Sequence, residues 1–445
     1  MRFIPHTPDD IRAMLEVVGV GSVAELFADV PAELRARAQV NLPPGVAEAA
    51  VRARLEALAA RCPGAHWLSF LGAGAYAHTV PAVVDHILQR AEFYSAYTPY
   101  QPEVSQGTLQ AIFEFQSLVA MLFDQEVANA SMYDGASAAA EAVLMALRVR
   151  PKRRRVLVSR ALHPQYRQVI ATYLAGASEA EVVEIGFDAS GTIARAALAG
   201  ALDDRTAAVV VGYPNFFGVL EPLEEIATAA HAQGALVISA TPETLALGAV
   251  KAPGSGGVDI TVGEGQSLGG TLSYGGPGVG LFATRAEHVR LMPGRLVGET
   301  VDGGGRRGYV LTLATREQHI RREKATSNIC TNQGLMALAV TVHLAAVGRA
   351  GLRALALANV KRAHAAATAL CAGGRWRRRF SGPVFNEFVL AGSAAGAAVA
   401  AAQAHGVLAG LPLHAWYPEL EDCFLVCATE MHSEADIARL VEVLQ

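Results

Sequence analysis

The segment from Tyr97 to Glu103 concentrates side chains that could bind a ligand. It reads Tyr97-Thr-Pro-Tyr100-Gln101-Pro-Glu103, so two phenols, an amide and a carboxylate are punctuated by two prolines. Proline fixes its own backbone and restricts the residue before it, which predicts a stiff, extended loop. Such a loop can present polar groups to a ligand or partner, but many plain surface connections have the same composition. Composition alone favours neither interpretation.

A second concentration of cations and hydroxyl groups lies between Thr315 and Cys330, just before an apolar stretch. Cations near a helix N-terminus suit negatively charged ligands. The composition by itself nevertheless favours a charged, exposed helix end. The candidate contacts in this segment are His319, Arg321, Lys324 and Asn328.

Two further positions are candidates for ligand binding because of their expected place in the fold. His163-Pro164 follows the first predicted sheet strand, and Asp134-Gly135 precedes an alanine-rich helix. In an α/β sheet, strand carboxyl ends and helix starts face the ligand crevice. Neither pair is specific alone.

The sequence Gly72-Ala-Gly-Ala-Tyr-Ala77 matches a dinucleotide fingerprint, but no βαβ pattern surrounds it, so a tight glycine loop is expected.

The elements that must position these side chains change along the chain. Residues 7–60 have a helical pattern, and helix formers dominate residues 106–150. From about residue 155, β-branched runs alternate with alanine-rich stretches, which predicts an α/β domain with a mostly parallel sheet covered on both faces. The runs are Val156–Val158, Val182–Ile185, Ala208–Val211, Leu236–Ile238, Ile260–Val262 and Gly280–Ala283.

The pattern changes again after about residue 350 and predicts a small α+β domain. Phe385–Leu390 and Phe424–Cys427 are predicted strands, and a helix begins at Ser433 with Asp436 at capping-box spacing. Ser22 and Glu25 show the same spacing near the start of the chain.

Composition excludes several classes of protein. Among 445 residues, 52% are hydrophobic and 18% charged, which excludes a disordered chain, and the net charge of -4 argues against a general nucleic-acid binder. Five cysteines without a C-x-x-C pair predict neither a disulfide framework nor a metal site. The chain opens without an apolar signal segment, and the uncharged stretches 325–348 and 388–418 are too polar or too rich in small residues to span a membrane. We therefore expect a cytoplasmic protein.

Taken in order, several long segments make the chain similar to the N-terminal half of the glycine cleavage P-protein, which in many bacteria is a separate subunit. The match covers essentially the whole chain. The chain departs from the family at His78-Thr79, where Asp-His-Tyr is usual after the first Ala-Tyr. The matching segments are residues 2–7, 70–76, 97–107, 129–135, 213–218, 262–269 and 315–331.

The resemblance implies the fold of a fold-type I transferase that depends on pyridoxal phosphate (PLP). We expect an N-terminal helical arm at 1–70, a large, mostly parallel α/β domain at 71–345 and a small C-terminal α+β domain at 346–445. The implied activity is that of glycine dehydrogenase (decarboxylating). Glycine is decarboxylated on PLP, and the aminomethyl group passes to the lipoyl group of the H-protein.

The resemblance also implies that this chain lacks the lysine that would hold PLP. The corresponding segment reads Gly263-Glu-Gly-Gln266-Ser-Leu-Gly-Gly, with Gln266 near the lysine position. We therefore expect a homologous partner, subunit 2, to bind PLP covalently, in a heterotetramer of two plus two chains. The residues expected to contribute to the active site are Tyr97, Tyr100, Gln101, Glu103, His319, Arg321, Lys324 and Asn328.

Two other functions stay open at this point. A self-sufficient PLP enzyme is disfavoured by Gln266, since glutamine cannot form a Schiff base. A purely structural or regulatory pseudoenzyme is compatible with the sequence, because a subunit that only completes a partner's cavity needs few reactive residues.

Overall fold

The β-branched runs predicted from residue 155 onward form the central sheet of the protein. The computed structural model describes residues 5–38, 41–95, 97–176, 180–326, 329 and 331–445. The chain divides into two units, Met1–Ala65 and His66–Gln445. The boundary predicted at residue 345 lies within a long helix of the second unit, and that division remains a prediction.

The described residues of the first unit form three short α-helices, and none of those from 5 to 62 is buried. The helices are α1 (Pro8–Val18), α2 (Ala32–Arg37) and α3 (Glu48–Ala59). A capping box of Thr7 and Asp10 begins α1. The capping box expected at Ser22 is absent, because the carboxylate of Glu25 accepts from the Ser22 hydroxyl and from the amide of Gly21, and a 3-10 helix, Val23–Phe27, follows.

The second unit contains the remaining helices and all described strands. The helices are α4 (Ala82–Leu88), α5 (Gln106–Phe123), α6 (Gly135–Val149), α7 (Pro164–Ala175), α8 (Arg195–Ala201), α9 (Leu223–Ala232), α10 (Gln318–Arg321), α11 (Gly334–Ala372), α12 (Ala395–Gln403) and α13 (Glu434–Leu444). The strands are β1 (Leu68–Ser69), β2 (Val127–Ala128), β3 (Arg155–Ser159), β4 (Glu181–Ile185), β5 (Thr206–Gly212), β6 (Leu236–Thr241), β7 (Ile260–Glu264), β8 (Gly280–Thr284), β9 (Leu296–Val301), β10 (Arg307–Thr312), β11 (Arg377–Arg378), β12 (Glu387–Ala391), β13 (Val407–Leu408), β14 (Leu411–Pro412) and β15 (Cys423–Cys427).

The main sheet has seven strands in the order β2-β8-β7-β6-β5-β3-β4. Strands β7, β6, β5, β3 and β4 are parallel. Strand β8 is antiparallel to both of its neighbours, β7 and β2, so β2 runs in the same direction as the parallel strands. Alternate residues of one strand enter different cores: Val210 packs with helices α6 and α7, and Val209 packs with α8 and α9. Both faces are therefore covered, as the continuous apolar runs predict. The parallel strands place their carboxyl ends at one edge, the edge at which ligands bind in open α/β sheets.

A smaller antiparallel sheet, β11-β12-β15-β14, packs with α12, α13 and the second half of α11 in a core that also includes Phe216 and Phe217, which follow β5 of the main sheet. The predicted capping box at Ser433 and Asp436 is present at the start of α13. Strands β9 and β10 pair as an antiparallel hairpin that the sequence analysis did not predict. Helix α11 is long and apolar enough to cross a membrane by length and composition, but Gly348 interrupts its helical geometry and such a helix alone is weak evidence.

Candidate active site

The carboxyl edge of the main sheet is where ligands bind in open α/β folds, and Gln266 lies there, just after β7. Its amide oxygen accepts from the amide of Tyr76 at 3.0 Å. Its amide nitrogen donates to the carbonyl oxygens of Tyr76 at 2.9 Å and Gly270 at 3.1 Å. Gln266 thus fastens a segment from Gly72 to His78, called here the 72–78 segment, to the edge of the sheet.

His163 holds the same segment from the other side. Burial lowers the pKa of His163, so its ring is neutral, and Nε2 donates to the carbonyl oxygen of Ala73 at 2.8 Å. A side chain at Gly74 would place its Cβ 2.9 Å from Nε2 of His163, so only glycine fits here. Ala73 and Gly74 both have positive φ, at 58° and 97°, as expected for the tight glycine loop predicted from the sequence.

A carboxylate lies at the start of helix α6. Glu264 is buried and accepts from the backbone amides of Gly135 at 2.9 Å, Val279 at 2.9 Å and Gln266 at 3.1 Å. Burial raises the pKa of Glu264 to about 7, against the effect of these backbone donors. The N-terminus of a helix attracts anions because its first amides lack partners within the helix. Glu264 already supplies an acceptor at that position.

Carboxyl groups from three other parts of the fold surround the end of the 72–78 segment. The ring of His78 lies between two carboxylates, with Nε2 2.9 Å from Glu243 and Nδ1 2.9 Å from Glu430. Burial disfavours the imidazolium, but the two carboxylates outweigh it and raise the pKa of His78 to about 10. Glu387, whose pKa burial raises to about 7, accepts from the amide of Ala73 and from the hydroxyl of Tyr76.

These residues do not fit a covalently bound PLP. The position after β7 carries an amide whose donors and acceptor are engaged, and every lysine of the chain lies on the exposed surface elsewhere. Ser239, on the strand that would offer an acid to the pyridine nitrogen, is buried and cannot carry a charge. The lysines are Lys152, Lys251, Lys324 and Lys361.

Three of the predicted site residues meet in a second place, an open cleft of about 540 Å³. Tyr97 and Tyr100 face each other edge to face, with ring centroids 6.5 Å apart, and Gln101 lines the same cleft. The side chain of Tyr97 is 80% exposed and that of Tyr100 is 48% exposed, so both phenols are available to a ligand or a partner. The lining residues are Glu92, Phe93, Ser95, Tyr97, Thr98, Pro99, Tyr100, Gln101, Val104, Ser105 and Thr108.

Arg295, which sequence reasoning missed, connects the two predicted segments. Its guanidinium donates from Nη2 to the hydroxyl of Tyr100 at 2.6 Å and lies 5.1 Å from the centre of that ring. Its Nε is 3.3 Å from the carboxylate of Glu317, two residues before His319. Arg295 is only 3% exposed. A buried cation thus supports the phenol of Tyr100 and ties the loop at 97–103 to the segment that begins at Thr315.

The remaining predicted residues do not gather in this cleft. Glu103 lines another surface depression, which is also lined by Arg306 and Arg307 of the β9–β10 hairpin. Arg321 donates to the carbonyl of Thr315 at 3.2 Å, and Lys324 is exposed at the end of a 3-10 helix. The side chain of His319 and the whole of Asn328 lie outside the described part of the chain. The grouping of these residues at one site remains a prediction.

Comparisons with known proteins agree over the whole chain. The sequence model of the family described as glycine cleavage system P-protein matches residues 1–444. A protein of Anaeromyxobacter dehalogenans (strain 2CP-C) named probable glycine dehydrogenase (decarboxylating) subunit 1 is 54% identical over 435 residues, which are 97% of each chain. A protein of the same name from Carboxydothermus hydrogenoformans is 50% identical over 446 residues, which are 100% of this chain and 99% of the relative.

Solved structures support the fold. A glycine decarboxylase (P-protein) of the glycine cleavage system, crystallised in inhibitor-bound form, superposes with a TM-score of 0.92 and 44% identity over 100% of this chain and 99% of that one. A sphingosine-1-phosphate lyase of Burkholderia pseudomallei has a TM-score of 0.67 at 16% identity over 92% of both chains, which shows the fold alone. The expected fold-type I architecture is confirmed.

Proposed function

Because this chain belongs to the glycine cleavage system P-protein family, we propose that it is the lysine-free subunit of a glycine decarboxylase. In this proposal a homologous partner subunit binds PLP covalently. The observation that carries the proposal is Gln266, whose amide occupies the end of β7 and is fully engaged with Tyr76 and Gly270. The relatives named subunit 1 support the existence of a second subunit.

Together, the two subunits decarboxylate glycine and pass the aminomethyl group to the lipoyl group of the H-protein. PLP on the partner provides the electron sink for this chemistry. The contribution of the present chain is to complete the cavity around the reacting glycine and to exclude water from it. Preorganised donors in a closed cavity stabilise developing charge better than mobile water does.

The open cleft lined by Tyr97, Tyr100 and Gln101 is the part of this chain that best suits that task. Tyr100 is oriented by the buried guanidinium of Arg295, so its phenol has a defined direction. Tyr97 and Gln101 add a second phenol and an amide in the same cleft. We expect this cleft to face the partner's cofactor or the channel that leads to it.

We expect the other predicted contributors, which do not line the cleft itself, to take part in the contact with the partner. Arg321 and Lys324 are exposed cations that suit a carboxylate or the partner that carries the lipoyl group. His319 and Asn328 belong to the same segment, and Glu103 lies on the flank formed with the β9–β10 hairpin. The alternative is a structural role, in which these residues only stabilise the interface between the subunits.

The proposed assembly is a cytoplasmic heterotetramer of two plus two chains, without a membrane or nucleic-acid partner. Exposed aromatic side chains such as Tyr97 are typical of surfaces that become buried on association.

Co-expression with the homologous partner followed by a glycine–bicarbonate exchange assay tests the proposal. We expect exchange with both subunits and little with either alone. Exchange by this chain without the partner would identify a self-sufficient enzyme instead. A wild-type rate from the partner alone would leave this chain no part in the reaction.

A further inference from the structure

The crevice at the carboxyl edge of the sheet is filled from within, and the missing lysine is only one part of that arrangement. We infer that the 72–78 segment and the carboxylate of Glu264 together form a built-in occupant of this crevice. The crevice then admits neither PLP nor another phosphorylated ligand, even when a lysine stands at position 266. This inference rests on the proposed function for the identity of the excluded cofactor.

The first observation is the anion position at the start of helix α6. A phosphate at a helix N-terminus would be bound by free backbone amides. Here the amide of Gly135 already donates to Glu264, and the amides of Gln266 and Val279 converge on the same carboxylate. A bound phosphate would have to displace this buried acceptor from the three amides.

The second observation is that the backbone of Ala73 and Gly74 lies against the ring of His163. In an α/β crevice, the side chain that follows β3 faces the ligand. The Nε2 of His163 is used by the carbonyl of Ala73, and the absent Cβ of Gly74 lets the backbone approach the ring closely. The backbone of the chain therefore lies where a flat ligand ring would contact His163.

The third observation is that the segment is held independently of Gln266. The carboxylate of Glu387 binds the amide of Ala73 at 2.6 Å and the hydroxyl of Tyr76 at 2.8 Å. A Cβ at Gly72 would lie 2.4 Å from that carboxylate, so the fit is tight. His78 adds its two contacts to Glu243 and Glu430. Loss of the Gln266 amide removes one anchor and leaves the others.

Replacement of the glutamine by lysine tests whether the segment excludes the cofactor. Wild-type chain, Gln266→Lys and the control Gln168→Lys, which places a lysine on the exposed surface of α7, are incubated with PLP, reduced with borohydride and mapped by peptide mass. We expect no more adduct at position 266 than at the control lysine. Stoichiometric adduct at position 266 with none in the wild-type chain would overturn the inference and leave the proposed function standing. A specific adduct on a lysine of the wild-type chain would overturn the proposed function instead.

Hydrogen exchange on the wild-type chain tests the same inference without a variant that could misfold. The amides of Ala73 and Tyr76 donate to buried side chains, so we expect slow exchange that is unchanged by PLP or by inorganic phosphate. Fast exchange that slows when either compound is added would show that the crevice opens and binds it, which would overturn the inference.

Discussion

The hydroxyl of Tyr100 accepts a hydrogen bond of 2.6 Å from Nη2 of Arg295, a guanidinium that is almost completely buried. A phenol held in this way has a fixed direction, whereas a free surface tyrosine rotates. Arg295 also pairs with Glu317 at 3.3 Å, so the position of Tyr100 depends on both predicted segments. This relationship makes Tyr100 the clearest test of whether the cleft takes part in the reaction.

Tyr100→Phe removes the phenol and keeps the ring. We expect the glycine–bicarbonate exchange rate of the assembled enzyme to fall at least about tenfold, which corresponds to about 1.4 kcal/mol of barrier. Tyr94→Phe is the matched control, because Tyr94 is also exposed but does not line the cleft. Glu103→Gln tests the flank with the hairpin in the same assay. If Tyr100→Phe and Glu103→Gln both leave the rate and the glycine affinity unchanged in a normal assembly, the catalytic role of this loop is wrong.

His78 makes the stability of the fold depend on pH in a defined direction. The pKa of His78 is raised from 6.5 to about 10, so the imidazolium contributes stability that is complete below pH 6.5 and lost as the pH rises through 10. Glu243, Glu430 and the neighbouring His343 face this ring. We expect the free energy of unfolding of the wild-type chain to decrease between these two pH values and that of His78→Asn to change much less.

Urea denaturation across this pH range measures the effect. His86→Asn is the control, because His86 is exposed on α4 and should leave the pH dependence as it is in the wild type. If the free energy of unfolding of His78→Asn falls with pH as steeply as that of the wild type, groups other than His78 cause the pH dependence.

The wild-type chain alone should bind no PLP covalently. Every lysine is exposed, and the residue near the lysine position after β7 is Gln266. Borohydride reduction with PLP and peptide mapping should give only weak, scattered labelling of surface lysines. One specific, stoichiometric lysine adduct would contradict the subunit assignment.

The strands of the central sheet could be predicted because each is a local signal. Val209 and Val211 lie within a run that is buried along its whole length, and such a run is typical of a sheet covered on both faces. The capping box of Ser433 and Asp436 is local as well. The hairpin was missed although Asp302-Gly-Gly-Gly305 offered a turn signal between its strands.

The candidate sites depend on contacts that no local pattern reveals. Tyr100 and Arg295 are 195 positions apart, and His78 lies 165 positions from Glu243 and 352 from Glu430. Arg295 follows a plain Pro-Gly turn, and nothing in its neighbourhood indicates burial. The family resemblance drew attention to Tyr100 and Gln266, but only the fold shows which side chains they contact.

Association with the partner is expected to be obligate. Fold-type I sites are expected to be built across a subunit interface, and stable interfaces of this kind bury more than about 2,000 Å². Light scattering on the co-expressed pair should give a particle of two plus two chains, this chain contributing 46.6 kDa per copy. A stable, active homodimer of this chain would contradict the prediction.

Turnover should require this subunit even though it contributes no covalent catalyst. The partner alone should hold PLP less stably and show little decarboxylation, because its cavity stays open to water. The chain either shapes the reaction or only supports the assembly, and the two roles predict different rates for variants that assemble normally. A subunit that shapes the reaction should lose at least about tenfold in rate on Tyr97→Phe or His319→Gln, or about 1.4 kcal/mol of barrier. His364→Gln, at an exposed position of α11, is the control for His319→Gln. If every variant that assembles keeps the wild-type rate, the chain is a scaffold and the proposed site residues are wrong.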